Sequence, residues 1–132
     1  VLIDIDRLRD VNEKLGQGAG DRLLSEVGLI LQREIRAPDF VARYGGDEFA
    51  LILPETDLNG GRRFVERLRQ VLSRQTFPDL GPGRVPGISA GVGAFPHPEV
   101  LRPEDLFAIV ESALARGKSV EPDRIGLVGE TK

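Results

Sequence analysis

The chain has 132 residues, enough for one domain with a buried core, and its 40% hydrophobic and 30% charged residues are typical of a globular protein. A formal net charge of −3 argues against a surface built for general binding to DNA, RNA or anionic lipid. The absence of cysteine excludes disulfides, zinc–thiolate sites and thiol nucleophiles.

The start of the chain and its hydropathy indicate what kind of protein the domain belongs to. No apolar run approaches the roughly 20 residues of a membrane span, and no signal-peptide pattern is present. The chain contains no methionine and begins directly in an apolar run, "VLIDID". We expect residues 1–132 to be a single domain of a longer protein with sensor or other regulatory domains. The expected location is the cytoplasm, which leaves open that the full-length protein is anchored in a membrane.

The first half of the chain predicts a strand, two helices and a hairpin. "VLIDI" is short, β-branched and apolar, as buried strands are, and "RLRDVNEKLG" follows as a short helix. Apolar residues then recur with a helical period from Gly20 to Arg36, and Pro38 ends this helix. "FVARY" and "EFALIL" surround Gly45-Gly46-Asp47, and two such runs joined by a glycine-containing turn predict a hairpin.

The second half predicts a helix, a strand, a helix and a last strand. The helical period returns from Phe64 to Leu72, and residues 77–87 are rich in proline and glycine, as loops are. A glycine-rich strand at 88–95 precedes a helix that begins at Pro103, and a last strand is predicted near 125–128. The order β-α-α-β-β-α-β-α-β predicts an α+β fold, with a central antiparallel or mixed sheet flanked by helices in a ferredoxin-like, split βαβ arrangement.

Two carboxylates of this pattern are candidates for binding a metal ion. Asp4 lies near the end of the first strand and Asp47 lies in the hairpin turn. Two such groups suit Mg²⁺, which prefers oxygen ligands and takes phosphates for its remaining positions. The chain has no GxxxxGK[ST] or GxGxxG loop, and backbone N–H groups at the helix start, residues 6–9, are the candidate substitute for binding phosphate. The alternative is a solvated strand end, a helix cap and a turn with exposed charges.

Asn12 and Asp21 are candidates for reading a purine base. A carboxylate accepts hydrogen bonds from the N1–H and N2–H₂ groups of guanine, and an amide both donates and accepts. The alternative is an exposed helix residue and a carboxylate near a helix cap.

These motifs together resemble a known family. "DIDRLRDVNEKLGQGAGD" and "RAPDFVARYGGDEFALILPET" resemble the GGDEF domain of diguanylate cyclases, and the similarity runs from Val1 to about Lys118. The resemblance implies a palm-like fold, as in nucleotidyl cyclases and polymerases, and the condensation of two GTP into cyclic di-GMP with release of pyrophosphate. It also implies Mg²⁺ or Mn²⁺ as cofactor and an antiparallel homodimer in which two GTP sites face each other.

The resemblance also assigns roles to individual residues. Asp4, the carbonyl of Ile5 and Asp47 correspond to the metal ligands, and Asp47 and Glu48 to the catalytic acids, with Glu48 in support. The substrate-binding positions are Leu8, Arg9, Asn12, Asp21, Lys118 and Arg124. "Arg36-Ala37-Pro38-Asp39" matches the RxxD pattern of a site for inhibition by cyclic di-GMP, to which Arg67 also belongs. The alternative for this last group is a surface Arg–Asp pair at a helix end.

Several positions depart from the family pattern. Leu8 and Arg9 replace the usual Phe-Lys, Gln17 replaces a histidine, and Ala115 stands where a tyrosine is usual. The segment after Lys118 is two residues longer than usual, which puts the role of Arg124 in doubt. Two alternatives to an active cyclase therefore stay open: a catalytically weak or inactive module that binds GTP or cyclic di-GMP, and an interaction domain without a nucleotide.

Overall fold

A five-stranded mixed sheet forms the centre of the fold in the computed structural model, which describes residues 1–129. The strands are β1 (Leu2–Ile5), β2 (Phe40–Tyr44), β3 (Glu48–Ile52), β4 (Ile88–Val92) and β5 (Ile125–Leu127). The helices are α1 (Leu8–Leu15), α2 (Gln17–Glu34), α3 (Leu58–Ser73) and α4 (Pro103–Gly117), and a short 3-10 helix covers Pro78–Leu80. This arrangement confirms the predicted α+β class and the predicted order of elements.

The strand order β2-β3-β1-β4-β5 places β1 at the centre of the sheet. β1 pairs antiparallel with both β3 and β4, β2 pairs antiparallel with β3, and β4 pairs parallel with β5. The C-terminal end of β1 therefore lies between the β2–β3 hairpin and the start of β4. The segment after β1, the hairpin turn and the residue before β4 therefore lie together at one end of the sheet.

The two faces of the sheet carry different amounts of apolar core. Because successive side chains of a strand point to opposite faces, Ile3 and Ile5 face one side of β1 and Leu2 faces the other. Ile3 and Ile5 belong to the larger cluster, which includes the buried side chains Val27, Leu31, Phe49, Leu51, Val65 and Leu68. Leu2 packs instead with Val110 and Leu114 of α4.

Glycines allow α4 to approach the sheet closely. A Cβ atom on Gly91 of β4 would lie 2.5 Å from both the nitrogen of Leu114 and the carbonyl oxygen of Val110. A Cβ on Gly126 of β5 would collide with the carbonyl of Ala113. The glycine-rich strand thus marks close packing, as the sequence suggested.

Three predicted boundaries were wrong. α2 begins at Gln17 rather than Gly20, because Gly16, at a φ of 93°, turns the chain directly from α1 into α2. It ends at Glu34 rather than Arg36, because Ile35 is already extended. β4 stops at Val92 rather than at residue 95, because its neighbours pair with it only as far as Val92.

Across residues 1–129, no helix is both long enough and apolar enough to cross a membrane.

Candidate active site

Three carboxylates converge where the end of β1 meets the β2–β3 hairpin. Asp4 is directly opposite Glu48 in the β1–β3 pairing, and the backbone nitrogen of Ile5 donates to the carbonyl of Asp47 at 3.2 Å. One carboxylate oxygen each from Asp4, Asp47 and Glu48 lie within 4.8 Å of one another. Gly45 has a φ of 71°, a conformation that favours glycine, and it lets the hairpin turn tightly before Asp47. Sheet register and turn together produce the cluster.

Asp4 is a buried member of this cluster and has one oxygen without a partner. The residue is only 5% exposed, and its Oδ1 has no hydrogen-bond partner among the described residues. Its Oδ2 lies 2.5 Å from Nζ of Lys118. Burial raises the pKa of Asp4, the hydrogen bond from Lys118 opposes this rise, and the charge of Asp47 adds to it. The interpretation of Asp4 as a solvated strand end is therefore wrong.

The pKa values of Glu48 and Lys118 are also raised in this cluster. Burial raises the pKa of Glu48, and the charges of Asp4 and Asp47 raise it further. The hydrogen bond to Asp4 raises the pKa of Lys118, because it stabilises the charged ammonium. The cluster therefore favours additional positive charge at this position.

The donor set fits a divalent cation such as Mg²⁺. The candidate ligands are all oxygens, as Mg²⁺ prefers, and the partnerless Oδ1 of Asp4 is a buried acceptor that a cation would satisfy. Ile5 is buried beside the backbone of Asp47. Asp4, Ile5 and Asp47 thus lie together, as the sequence predicted, and Glu48 joins them.

The turn from β1 into α1 carries the residues expected near phosphate. The N-cap of α1 is Arg7, at a φ of 60° and without a side-chain cap hydrogen bond, so the alternative interpretation of a helix-cap carboxylate is wrong here. Leu8 is buried and Arg9 is exposed. Leu8 therefore belongs to the core, where its side chain has no polar group to offer a substrate, and only Arg9 keeps a charge available to phosphate.

Asn12 and Asp21 lie on either side of the turn between α1 and α2. Oδ1 of Asn12 is buried, has no hydrogen-bond partner within residues 1–129, and packs against Gly20, where a Cβ atom would collide with the amide. Asp21 follows Gly20 and is exposed. The glycine thus makes room for an amide with a free acceptor next to an accessible carboxylate.

Lys118 and Arg124 come from the segment between α4 and β5. Arg124 forms an ion pair with Asp6 at 3.2 Å, and its Nε donates to Oγ of Ser89 at 2.9 Å. Its backbone has a φ of 52°, which is uncommon for a residue with a side chain. Despite the two additional residues in its loop, Arg124 therefore lies beside the candidate site. Sequence reasoning missed Ser89, although a polar residue in the apolar strand "ISAGV" was a signal for it.

The residues of the expected inhibitory site line one cavity of about 1130 Å³, which extends to Val1 at the start of β1. Arg36 donates to both oxygens of Asp39, at 3.3 and 3.1 Å, and also to the carbonyl of Pro54 at 2.9 Å. The hydrogen bond to Asp39 raises the pKa of Arg36. Arg67 lies on the same cavity, with its guanidinium 5.0 Å from the ring centre of Phe64. This cavity is at the opposite end of β1 from the acidic cluster.

Comparison with protein families identifies the chain. Residues 1–124 match the model of the family described as diguanylate cyclase, GGDEF domain. The chain belongs to the GGDEF family. The domain is 36% identical over 124 residues to diguanylate cyclase DgcP of Pseudomonas aeruginosa, covering 94% of this chain but 18% of that protein. It is 38% identical over 108 residues to response regulator PleD of Caulobacter vibrioides, covering 76% of this chain and 24% of PleD. The GGDEF domain thus spans less than a quarter of either relative.

Solved structures show the same fold. The GGDEF domain superposes on the active GGEEF domain of a diguanylate cyclase from Vibrio cholerae with a TM-score of 0.85 and 25% identity, covering 98% of this chain and 81% of that one. The GGDEF domain of DgcB from Caulobacter crescentus, solved with c-di-GMP, gives a TM-score of 0.85 at 23% identity, with 98% and 76% of the two chains covered. These matches confirm the fold of nucleotidyl cyclases, and the family supports such an activity.

Proposed function

We propose that the GGDEF domain is a diguanylate cyclase that joins two GTP into cyclic di-GMP and releases two pyrophosphates. The observation that carries the proposal is the buried carboxylate of Asp4, which clusters with those of Asp47 and Glu48, leaves Oδ1 without a partner among the described residues, and contacts Lys118 through Oδ2. An interaction domain without a nucleotide has no need of three clustered carboxylates, one of them with a buried oxygen that lacks a partner, because a buried polar atom without a partner is costly.

Asp4, Asp47 and the carbonyl of Ile5 would hold Mg²⁺ or Mn²⁺. When bound, this ion would neutralise triphosphate charge and make the 3′-hydroxyl of GTP easier to deprotonate. Asp47, supported by Glu48, would accept the proton of that hydroxyl.

The remaining residues would orient the substrate. Lys118 and Arg9 supply positive charge for the phosphates, with Arg124 behind Lys118. The exposed carboxylate of Asp21 would accept hydrogen bonds from the N1–H and N2–H₂ groups of guanine, and the amide of Asn12 would donate to or accept from the base. Adenine lacks those N–H groups, so this pair would select GTP over ATP.

Each domain would hold one GTP, and each 3′-hydroxyl would attack the α-phosphate of the other GTP. Turnover would therefore require two domains facing each other antiparallel, and a single domain would be inert. The relatives named above are several times longer than this chain, so sensor domains of the full-length protein would set this arrangement.

The direct test is to fuse the domain to a dimeric coiled coil and incubate it with Mg²⁺ and GTP. We expect cyclic di-GMP and pyrophosphate by chromatography, and far less product from the unfused domain at low concentration. A forced dimer that binds GTP but forms no product would refute the cyclase proposal.

The cavity with Arg36 gives a second expectation, binding of cyclic di-GMP. Arg36→Ala should weaken binding about 10–100-fold, because hydrogen bonds to charged groups contribute about 1.5–3 kcal/mol each. Calorimetry measures this, and Arg33→Ala, an exposed arginine in the last turn of α2, is the matched control. If the unaltered domain, Arg36→Ala and Arg33→Ala bound cyclic di-GMP with equal affinity, Arg36 and Asp39 would be only a surface ion pair. Binding that depends on Arg36 in a dimer without turnover would instead favour the regulatory module.

A further inference from the structure

A serine hydroxyl lies inside the sheet, next to the candidate active site. Ser89 of β4 is 0% exposed, and every other residue of "ISAGV" is apolar. It is directly opposite Asp4 in the β1–β4 pairing, so both side chains lie on the same face of the sheet. None of the roles proposed above uses this hydroxyl, yet it is fully desolvated.

The hydroxyl connects a carboxylate and a guanidinium. Oγ of Ser89 donates to Oδ1 of Asp6 at 2.6 Å and accepts from Nε of Arg124 at 2.9 Å. Nη2 of Arg124 donates to the same Asp6 oxygen at 3.4 Å, and Nη1 donates to Oε2 of Glu121 at 2.7 Å. Every nitrogen of this guanidinium therefore has an acceptor within the protein. Such a group is better suited to holding a neighbouring segment than to binding a phosphate.

The segment that Arg124 holds carries Lys118. Nη1 of Arg124 donates to the carbonyl of Lys118 at 2.9 Å, and Nζ of Lys118 contacts Oδ2 of Asp4. Lys118 is the C-cap residue of α4, where helix geometry no longer determines the path of the chain. The hydrogen bond to its carbonyl fixes where its long side chain begins.

We propose that Ser89 is a positioning residue for the cyclase reaction and acts through Arg124 on Lys118; this role rests on the proposed function. Ser89 fixes the guanidinium by accepting from Nε while Asp6 accepts the hydroxyl proton. Without the hydroxyl, Arg124 loses a constraint on its side chain, and the carbonyl of Lys118 is held less firmly. The ammonium of Lys118 then spends less time beside Asp4, where it would help to neutralise the charge of the triphosphate.

A double-mutant cycle in the forced dimer tests this route. Ser89→Ala should lower kcat about tenfold, the size expected for hydrogen bonds to charged groups, with a smaller change in KM for GTP. In a Lys118→Ala background the same substitution should cause no further loss. Ser73→Ala, which removes a hydroxyl bonded to the Gln70 carbonyl at the end of α3, is the control and should change neither constant. An equal loss in both backgrounds, or no loss at all, would overturn the proposal.

A second measurement does not depend on turnover. The order parameter of the Lys118 ammonium, measured by NMR without nucleotide, should fall in Ser89→Ala and stay near the original value in Ser89→Thr, which keeps a hydroxyl. Unchanged order in Ser89→Ala would contradict the positioning role even if the domain made no cyclic di-GMP. If Ser89→Ala does not fold, both measurements can be made on Arg124→Lys instead. This substitution, at a half-buried position, removes the hydrogen bond from Arg124 to the Lys118 carbonyl.

Discussion

Asp47→Ala is expected to abolish cyclic di-GMP formation while leaving the fold intact. Asp47 lies in the turn of the β2–β3 hairpin, half-buried and outside both apolar clusters. Its removal should lower kcat by roughly 10³-fold, since a catalytic metal contributes several kcal/mol to stabilising a transition state. The melting temperature should change little, because its backbone contact to Ile5 uses the main-chain carbonyl, which alanine also has.

The measurements are product formation by the forced dimer and thermal unfolding with and without Mg²⁺. Mg²⁺ should raise the melting temperature of the unaltered domain through mass action, and this rise should shrink in Asp47→Ala. Glu99→Ala is the control, because this exposed carboxylate lies in the loop between β4 and α4, at the opposite end of the sheet. Unchanged turnover in Asp47→Ala would remove Asp47 from the proposed metal ligands.

Asp4→Asn is expected to abolish turnover and also to stabilise the domain. Burial raises the pKa of Asp4 above its ordinary value of 3.8, so folding favours the protonated form. The stability that this group contributes is fully present below pH 3.8 and is lost as pH rises through its folded-state pKa. At neutral pH the buried charge is a cost, which asparagine removes while keeping an oxygen for Lys118.

The gain should be about 1–3 kcal/mol in the free energy of unfolding, the usual penalty for a buried polar group without a partner. The new amide can donate to the carboxylates of Asp47 or Glu48, which now repel the Asp4 charge. Urea unfolding at pH 7 should show this gain, which should shrink as the pH falls toward 3.8, where Asp4 is itself protonated. Lower stability of Asp4→Asn at neutral pH would mean that the ion pair with Lys118 outweighs the cost of burial.

Some site residues could be found from the sequence because they depend on local patterns. The glycine turn of "RYGGDEF" between two apolar runs predicted the hairpin, and Tyr44 is indeed directly opposite Glu48. Asp4 followed from its place at the end of an apolar strand. The start of α2 could not be found in the same way. Gly16 alone separates α1 from α2, so no loop in the sequence marks where the second helix begins.

The sequence by itself therefore determined the order of elements, the hairpin and the identity of most residues around the candidate site. These features follow from periods of two and 3.6 residues and from turn chemistry, which act over short stretches of chain. Only the tertiary structure decided that Ser89 meets Asp6, 83 residues away in sequence, and that Arg124 meets Asp6, 118 residues away. Such contacts depend on the pairing of β1 with β4 and of β4 with β5, which no local propensity specifies.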